Sequence, residues 1–340
     1  MAKIPGGVLA PVATIFGDDG ELDLAAYAEN MEFYATSALD GVVIMGSNGE
    51  YTLLSENEKE RLIAAGVEAI NGRKTVLVGT GVESTRGTIA LTKKAAELGA
   101  EYALVNTPHY YRPRYDYAAN LKHYLSVAEA SPIPVIVYIM ALYTGVDLPT
   151  NLVAELSKHP NIVGVKDSGG NAPKVAELIA YSSDDFGVLA GSASFLYPAL
   201  CLGATGGITA LANVAPSHVA AIRDAYLAGD HELARSRQFN ALAPNAAVTS
   251  KFGIPGLKVA LDHVGLRAGV PREPIAPLTE KDAAEVRRVL DAAGIQRARS
   301  YAAGNAGAGV PGSAPARRDQ RYARQSARRS PVAVRGDRPL

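Results

Sequence analysis

The sequence predicts an α/β protein: a (β/α)8 TIM barrel with a C-terminal helical extension and a disordered, Arg-rich tail. Three observations carry this. Eight short, apolar, β-rich runs recur along the chain, amphipathic stretches of helical spacing separate them, and the composition changes abruptly after residue 294. Strands separated by helices pair in parallel through crossovers. Eight such units fill roughly 250 residues, the usual size of a closed barrel. A doubly wound sheet satisfies the same pattern, because local periodicity does not encode strand order.

The strand runs are 7–14, 41–45, 75–79, 102–106, 134–139, 162–166, 187–190 and 206–210. The helical stretch 55–70 opens with Ser-Glu-Asn-Glu, in which a Ser and a Glu three residues apart can cap each other's backbone N–H groups. Stretches 84–98 and 117–130 follow, the first closed by Gly99, a residue that readily takes the left-handed turn ending a helix. Helical stretches near 215–235, 255–265 and 279–293 exceed what a barrel needs and predict the extension. The expected division is 1–225 for the barrel, 226–294 for the helical extension and 295–340 for the tail. That tail is rich in Ala, Arg, Gly, Pro and Ser and has no apolar periodicity. It cannot bury enough surface to offset the entropy of ordering.

Composition narrows the function. With 48% apolar and 20% charged residues, the body can bury a sizeable core. The single cysteine, Cys201, excludes an intrachain disulfide framework, a zinc ribbon and an iron–sulfur site. The six histidines are scattered without metal-ligand spacing, so neither metal nor cofactor is expected. From residue 296 on there are ten Arg against two Asp, leaving 24 basic and 32 acidic residues before it. An acidic body argues against a nucleic-acid partner. No apolar run reaches the ~20 residues of a membrane span, and no signal-peptide core opens the chain. A soluble, cytoplasmic protein is the expectation.

In a barrel the chemistry gathers where strands end and the following loops begin. Lys166 closes the sixth, otherwise apolar run. A buried amine is favoured in its neutral form, which can attack a carbonyl and form a Schiff base. A lysine paired with Asp167 or another carboxylate is the other reading of this position. Tyr138 ends the fifth run, beside Lys166 if the strands are neighbours. A phenol there can carry a proton to and from a substrate hydroxyl, or serve as a half-buried core tyrosine. Gly46-Ser47-Asn48-Gly49-Glu50 ends the second run, and such a tight turn presents N–H groups and a hydroxyl to an anion. Tyr110-Tyr111 follows the fourth run. The Gly-rich loops at 191–194 and 203–207 lack an adjoining Lys or Arg, which argues against phosphate.

Together these motifs resemble the dihydrodipicolinate synthase / N-acetylneuraminate lyase family of class I aldolases, over roughly residues 5–293. The resemblance rests on Gly46-Ser-Asn-Gly-Glu50, Tyr110-Tyr111, Tyr138, Lys166, Gly191 and Gly206-Gly207, in order and with matching spacing. Asn161-Ile-Val-Gly-Val-Lys-Asp-Ser-Gly-Gly170, Pro244-Asn-Ala-Ala-Val-Thr249 and Phe252-Gly-Ile-Pro-Gly-Leu-Lys258 most resemble the 4-hydroxy-2-oxoglutarate aldolase type. The resemblance implies Lys166 as the Schiff-base lysine and Tyr138 as the proton-transfer residue. It implies that Tyr110 is lent across a tight interface in a dimer of dimers. Ser47 and Asn48 would hold the carboxylate of a 2-oxo acid, with Ser168, Gly191 and Ile208 lining the pocket.

The departures are informative. Tyr143 stands where dihydrodipicolinate synthases carry an Arg for their aldehyde's carboxylate, and Ala141 replaces a customary proline. Ala193 and Ser194 stand where neuraminate lyases place acids. The expected activity is therefore cleavage of 4-hydroxy-2-oxoglutarate to pyruvate and glyoxylate, without cofactor. Another pyruvate-dependent lyase of the family, and a non-catalytic 2-oxo-acid sensor, are the alternatives.

Overall fold

Eight parallel strands close on themselves in sequence order, β1 pairing with β8. The computed structural model describes residues 6–296. The strands are β1 (Gly7–Pro11), β2 (Gly41–Ile44), β3 (Thr75–Gly79), β4 (Tyr102–Asn106), β5 (Val135–Ile139), β6 (Ile162–Asp167), β7 (Gly187–Ala190) and β8 (Gly206–Ile208). The helices are α1 (Leu24–Thr36), α2 (Glu56–Ile70), α3 (Thr85–Glu97), α4 (Tyr117–Ala130), α5 (Ala141–Thr144), α6 (Thr150–Leu156), α7 (Ala172–Tyr181), α8 (Leu196–Leu202), α9 (Pro216–Leu227), α10 (His231–Ala247), α11 (Gly253–Val264) and α12 (Glu280–Ala292). The barrel is the expected one. The doubly wound alternative fails because β1 and β8 are hydrogen-bonded neighbours.

Strand alternation builds two cores. Leu9, Val43, Leu77, Leu104, Ile136 and Leu189 fill the barrel interior. Their neighbours Val42, Val76, Val105, Val137 and Val188 pack outward against the helices. At the closing seam only glycine fits: a Cβ on Gly206 would run into the backbone of Gly7.

Several boundaries differ from the sequence reading. β1 stops at Pro11 because the backbone beyond turns to other partners: the Thr14 carbonyl accepts from Lys258, and its hydroxyl donates to the Gly49 carbonyl at 2.6 Å. β8 stops at Ile208, where a 3-10 turn begins at Ala210–Asn213. The stretch 215–235 is two helices, broken at Gly229, whose φ is 79°, and restarted at Asp230, which caps α10 by accepting from Leu233 N at 2.9 Å. α10 then continues to Ala247 with Pro244 inside it. The tail expected from residue 295 lies, apart from Ile295 and Gln296, outside the described residues.

The extension is tied to the barrel through Arg272. Its guanidinium pairs with both oxygens of Glu58, at 2.9 and 2.6 Å, and donates to the Leu53 and Gly20 carbonyls. Glu58 is also the capping-box acid of α2, accepting from Ser55 N at 2.8 Å. These bonds hold its carboxyl down at about 2. A depressed carboxylate contributes stability that is complete above its ordinary value of 4.5 and is lost as pH falls toward about 2. Arg272→Leu should cost up to about 3 kcal/mol, since it strands a half-buried carboxylate. Thermal denaturation should show Tm lowered by several degrees at neutral pH. The loss of Tm between pH 4.5 and 2 should also be shallower than in the parent protein.

Candidate active site

One irregularity decides which way Lys166 points. In the β5–β6 ladder Val135 pairs with Ile162, but Ile136 pairs with Gly164, so Val163 is an extra residue. Val163 faces the barrel interior. Strict alternation from it would turn Val165 inward and Lys166 out. The bulge resets the phase: Val165 packs outward, and Lys166 lies in register with the inward-facing Tyr138 and Leu189.

Lys166 is 3% exposed, and its Nζ sits 4.1 Å from the centroid of the Tyr138 ring. The pairing with Asp167 does not occur. Asp167 faces the other way, 3.3 Å from Lys174 Nζ, and accepts from Gly169 N at 3.0 Å. Among the described residues no carboxylate pairs with Lys166. An inward lysine beneath an aromatic face, free of a counter-ion, keeps its amine available to a ligand.

The other expected residues fall around it unevenly. Ser47 Oγ is 3.2 Å from the Tyr138 hydroxyl. Ser47–Gly49 forms a 3-10 turn, closed by Gly49 N to Gly46 O and Glu50 N to Ser47 O. The leading Ser47 and Asn48 N–H groups are those for which a helical turn has no internal acceptor. Gly191 N donates to Asp167 O at 2.7 Å, and Ser168 N to Ile139 O at 3.1 Å, which stitches the rims of β5, β6 and β7 together. Ile208 is fully buried at the end of β8, in the interior layer. Tyr110 is not brought to this group within the single chain. It is 76% exposed, meets Tyr111 edge-on at 5.0 Å, and its N–H donates to Glu83.

Two residues escaped the sequence reading. Tyr51 and Asn106 share a side-chain hydrogen bond, and the Tyr51 phenol is pushed up by burial and by Tyr138 beside it. Tyr51 directly follows the 46–50 turn, and Asn106 ends β4 as Tyr138 ends β5; the rule that found Tyr138 applies equally to Asn106. The Tyr143 phenol is likewise pushed up by burial and by Tyr138. The residue as a whole is over half exposed.

A closed parallel barrel with an amine and hydroxyls converging at the C-terminal ends of its strands defines an enzyme of the barrel class. Residues 4–293 match the Dihydrodipicolinate synthetase family. A 4-hydroxy-tetrahydrodipicolinate synthase from Xanthomonas axonopodis is 39% identical over 80% of this chain and 89% of its own length. One from Exiguobacterium is 34% identical over 84% and 97%. The crystal structure of a dihydrodipicolinate synthase from Bacillus anthracis superposes with a TM-score of 0.82 at 28% identity, over 86% of this chain and 99% of that one. A prophage protein of the same family from E. coli, in complex with pyruvate, gives 0.80 at 28%, over 85% and 99%. The chain belongs to the dihydrodipicolinate synthetase family, and it is a lyase of the Schiff-base, class I aldolase type.

Gly191 offers a direct test of the rim. A Cβ there would stand 2.7 Å from the Asp167 carbonyl and collide with the Ser168 hydroxyl. Gly191→Ala should displace Ser168, costing about 1–3 kcal/mol as overpacking. It should also lower kcat/KM more than Tm accounts for, which steady-state kinetics beside thermal melting will show.

Proposed function

We propose that this lyase cleaves 4-hydroxy-2-oxoglutarate to pyruvate and glyoxylate through an imine on Lys166. The observation that carries the reading is the buried, counter-ion-free Lys166 amine over the Tyr138 ring, with the Tyr138 hydroxyl in turn against Ser47.

The chemistry runs as follows. Ser47 and Asn48 hold the C1 carboxylate, which places C2 at Lys166. The amine adds to the C2 ketone and water leaves, forming an iminium that accepts electrons. Tyr138 takes the proton of the C4 hydroxyl. The C3–C4 bond breaks, its electron pair passes into the enamine, and glyoxylate departs. Tyr138 returns the proton to C3, and hydrolysis of the imine frees pyruvate and the lysine. Fixing the carboxylate aligns the breaking bond with the iminium π system, an advantage of orientation. Ser168, Gly191 and Ile208 form the pocket wall. Tyr110, exposed on its own chain, would complete the proton path from a second protomer in a dimer of dimers.

A second reading is supported by the relatives from Exiguobacterium and Xanthomonas, which bear the name 4-hydroxy-tetrahydrodipicolinate synthase. The imine half of the site serves either reaction. What favours cleavage of the hydroxy-oxo acid is the loop after β5, Met140-Ala-Leu-Tyr-Thr-Gly145, which has no cation of its own and carries Tyr143 at the position of the synthases' Arg.

The test is pyruvate release from 4-hydroxy-2-oxoglutarate, set beside condensation of pyruvate with a panel of aldehydes. Borohydride with pyruvate should leave a reduced adduct on Lys166, seen by peptide mass. Lys166→Ala should abolish adduct and turnover together. Tyr138→Phe should lower kcat by about 10²–10⁴-fold while the adduct still forms. An adduct without any turnover would support the 2-oxo-acid sensor. Turnover only with other aldehydes would support the synthase or a related lyase.

A further inference from the structure

Glu50 is 2% exposed and adopts φ 54°, the left-handed region that favours glycine. It joins two 3-10 turns, Ser47–Gly49 and Tyr51–Leu53. Its side chain supplies the reason a carboxylate stands there. One oxygen accepts from Arg272 N at 2.8 Å. The other has no hydrogen bond and lies 3.4 Å from Lys258 Nζ. Lys258, itself 4% exposed on α11, also donates to the Thr14 carbonyl, and the Thr14 hydroxyl holds the Gly49 carbonyl. One buried ammonium therefore secures two consecutive residues of the turn, Gly49 through Thr14 and Glu50 directly. Two residues upstream of Gly49 is Ser47, against the Tyr138 hydroxyl. The residue after Glu50 is Tyr51, against Asn106 and Tyr138.

A buried ion pair is a poor device for stability alone, since apolar residues of the same volume usually serve as well or better. It is a good device for holding one geometry.

We propose that Lys258 is a positioning residue for the substrate-carboxylate turn: through Glu50 and Thr14 it fixes Ser47, Asn48 and Tyr51 relative to Tyr138, so the helical extension sets the site's affinity for a 2-oxo acid. This rests on the reading of Ser47 and Asn48 as the carboxylate holders. Burial pushes the Lys258 ammonium down to about 8, against the pull of Glu50. The groups facing it are Glu50, the Thr14 carbonyl and the Phe16 ring, 5.3 Å away; the guanidinium of Arg272 is occupied by Glu58. Loss of its proton removes the partner of Glu50.

The experiment measures KM, kcat and the pyruvate concentration that half-saturates borohydride labelling, for the full chain and for Lys258→Met/Glu50→Gln, Glu50→Gln and Lys258→Arg. Misplacing the turn should raise KM and the half-saturating pyruvate by about ten- to a hundredfold in the double variant. At saturating substrate kcat should stay near that of the parent and the adduct should still form on Lys166. In the parent KM should climb above pH 8, and Lys258→Arg should remove that climb. If the double variant does not fold, Glu50→Gln alone must move KM in the same direction. An unchanged KM with only a lowered Tm overturns the proposal and leaves the pair structural. An adduct in the parent beside an unmoved KM sinks the positioning role alone, whereas no adduct in the parent overturns the aldolase reading and this inference with it.

Discussion

In a closed barrel every side chain on a strand faces either the packed interior or the helices, and alternation decides which. The extra residue Val163 is the point at which this constraint is bent to chemical use. It lets β6 present an apolar side chain low in the barrel and an amine three residues on, both inward. Without it the strand would send Lys166 into the helical layer and Asp167 into the interior. The bulge thus puts the amine under the Tyr138 ring and leaves the carboxylate outside with Lys174.

The site is then completed by the residue just past β6 and by loops from other strands. The Gly191 and Ser168 N–H bonds fasten the β5, β6 and β7 rims into one surface. The 46–50 turn brings a hydroxyl to Tyr138 from three strands away. That turn contains a left-handed glutamate and depends on partners in α11 and the segment after it. α10 contributes as well: Gln238 brackets the start of the β7 rim by accepting from Tyr197 N and donating to the Ala193 carbonyl, and Asn245 donates to Ser192. The helices α10 and α11 thus brace the frame of the candidate site.

This division of labour explains the chemistry the site favours. The inner half, Lys166 with Tyr138 and Ser47, is built from strand ends and a doubly anchored turn, as the proposed imine on Lys166 would require. The outer half is formed by the loop after β5, with the exposed Tyr110-Tyr111 pair on the loop after β4 outside the group within the single chain. It is the more exposed part, with Tyr110 76% and Leu142 77% exposed. Differences in second substrate within a family of one fold are expected there, where side chains can change without disturbing the barrel.

The amino-acid order alone determined the eight strands and their alternation with helices, because apolar periodicity and glycine closures are local signals. The capping box at Ser55–Glu58 formed as its spacing required. It also located Lys166, Tyr138 and Ser47 at strand ends, since a reactive residue closing an apolar run is visible without a fold. Three things came only from tertiary structure. The inward face of Lys166 depends on a bulge defined by pairing with β5, and no single strand carries that information. The nearness of Tyr51 and Asn106 to Tyr138 joins the ends of β2, β4 and β5. The clasp of Lys258 on Glu50 spans more than two hundred residues, and its charges meet only once the barrel has closed and the extension has folded back on it.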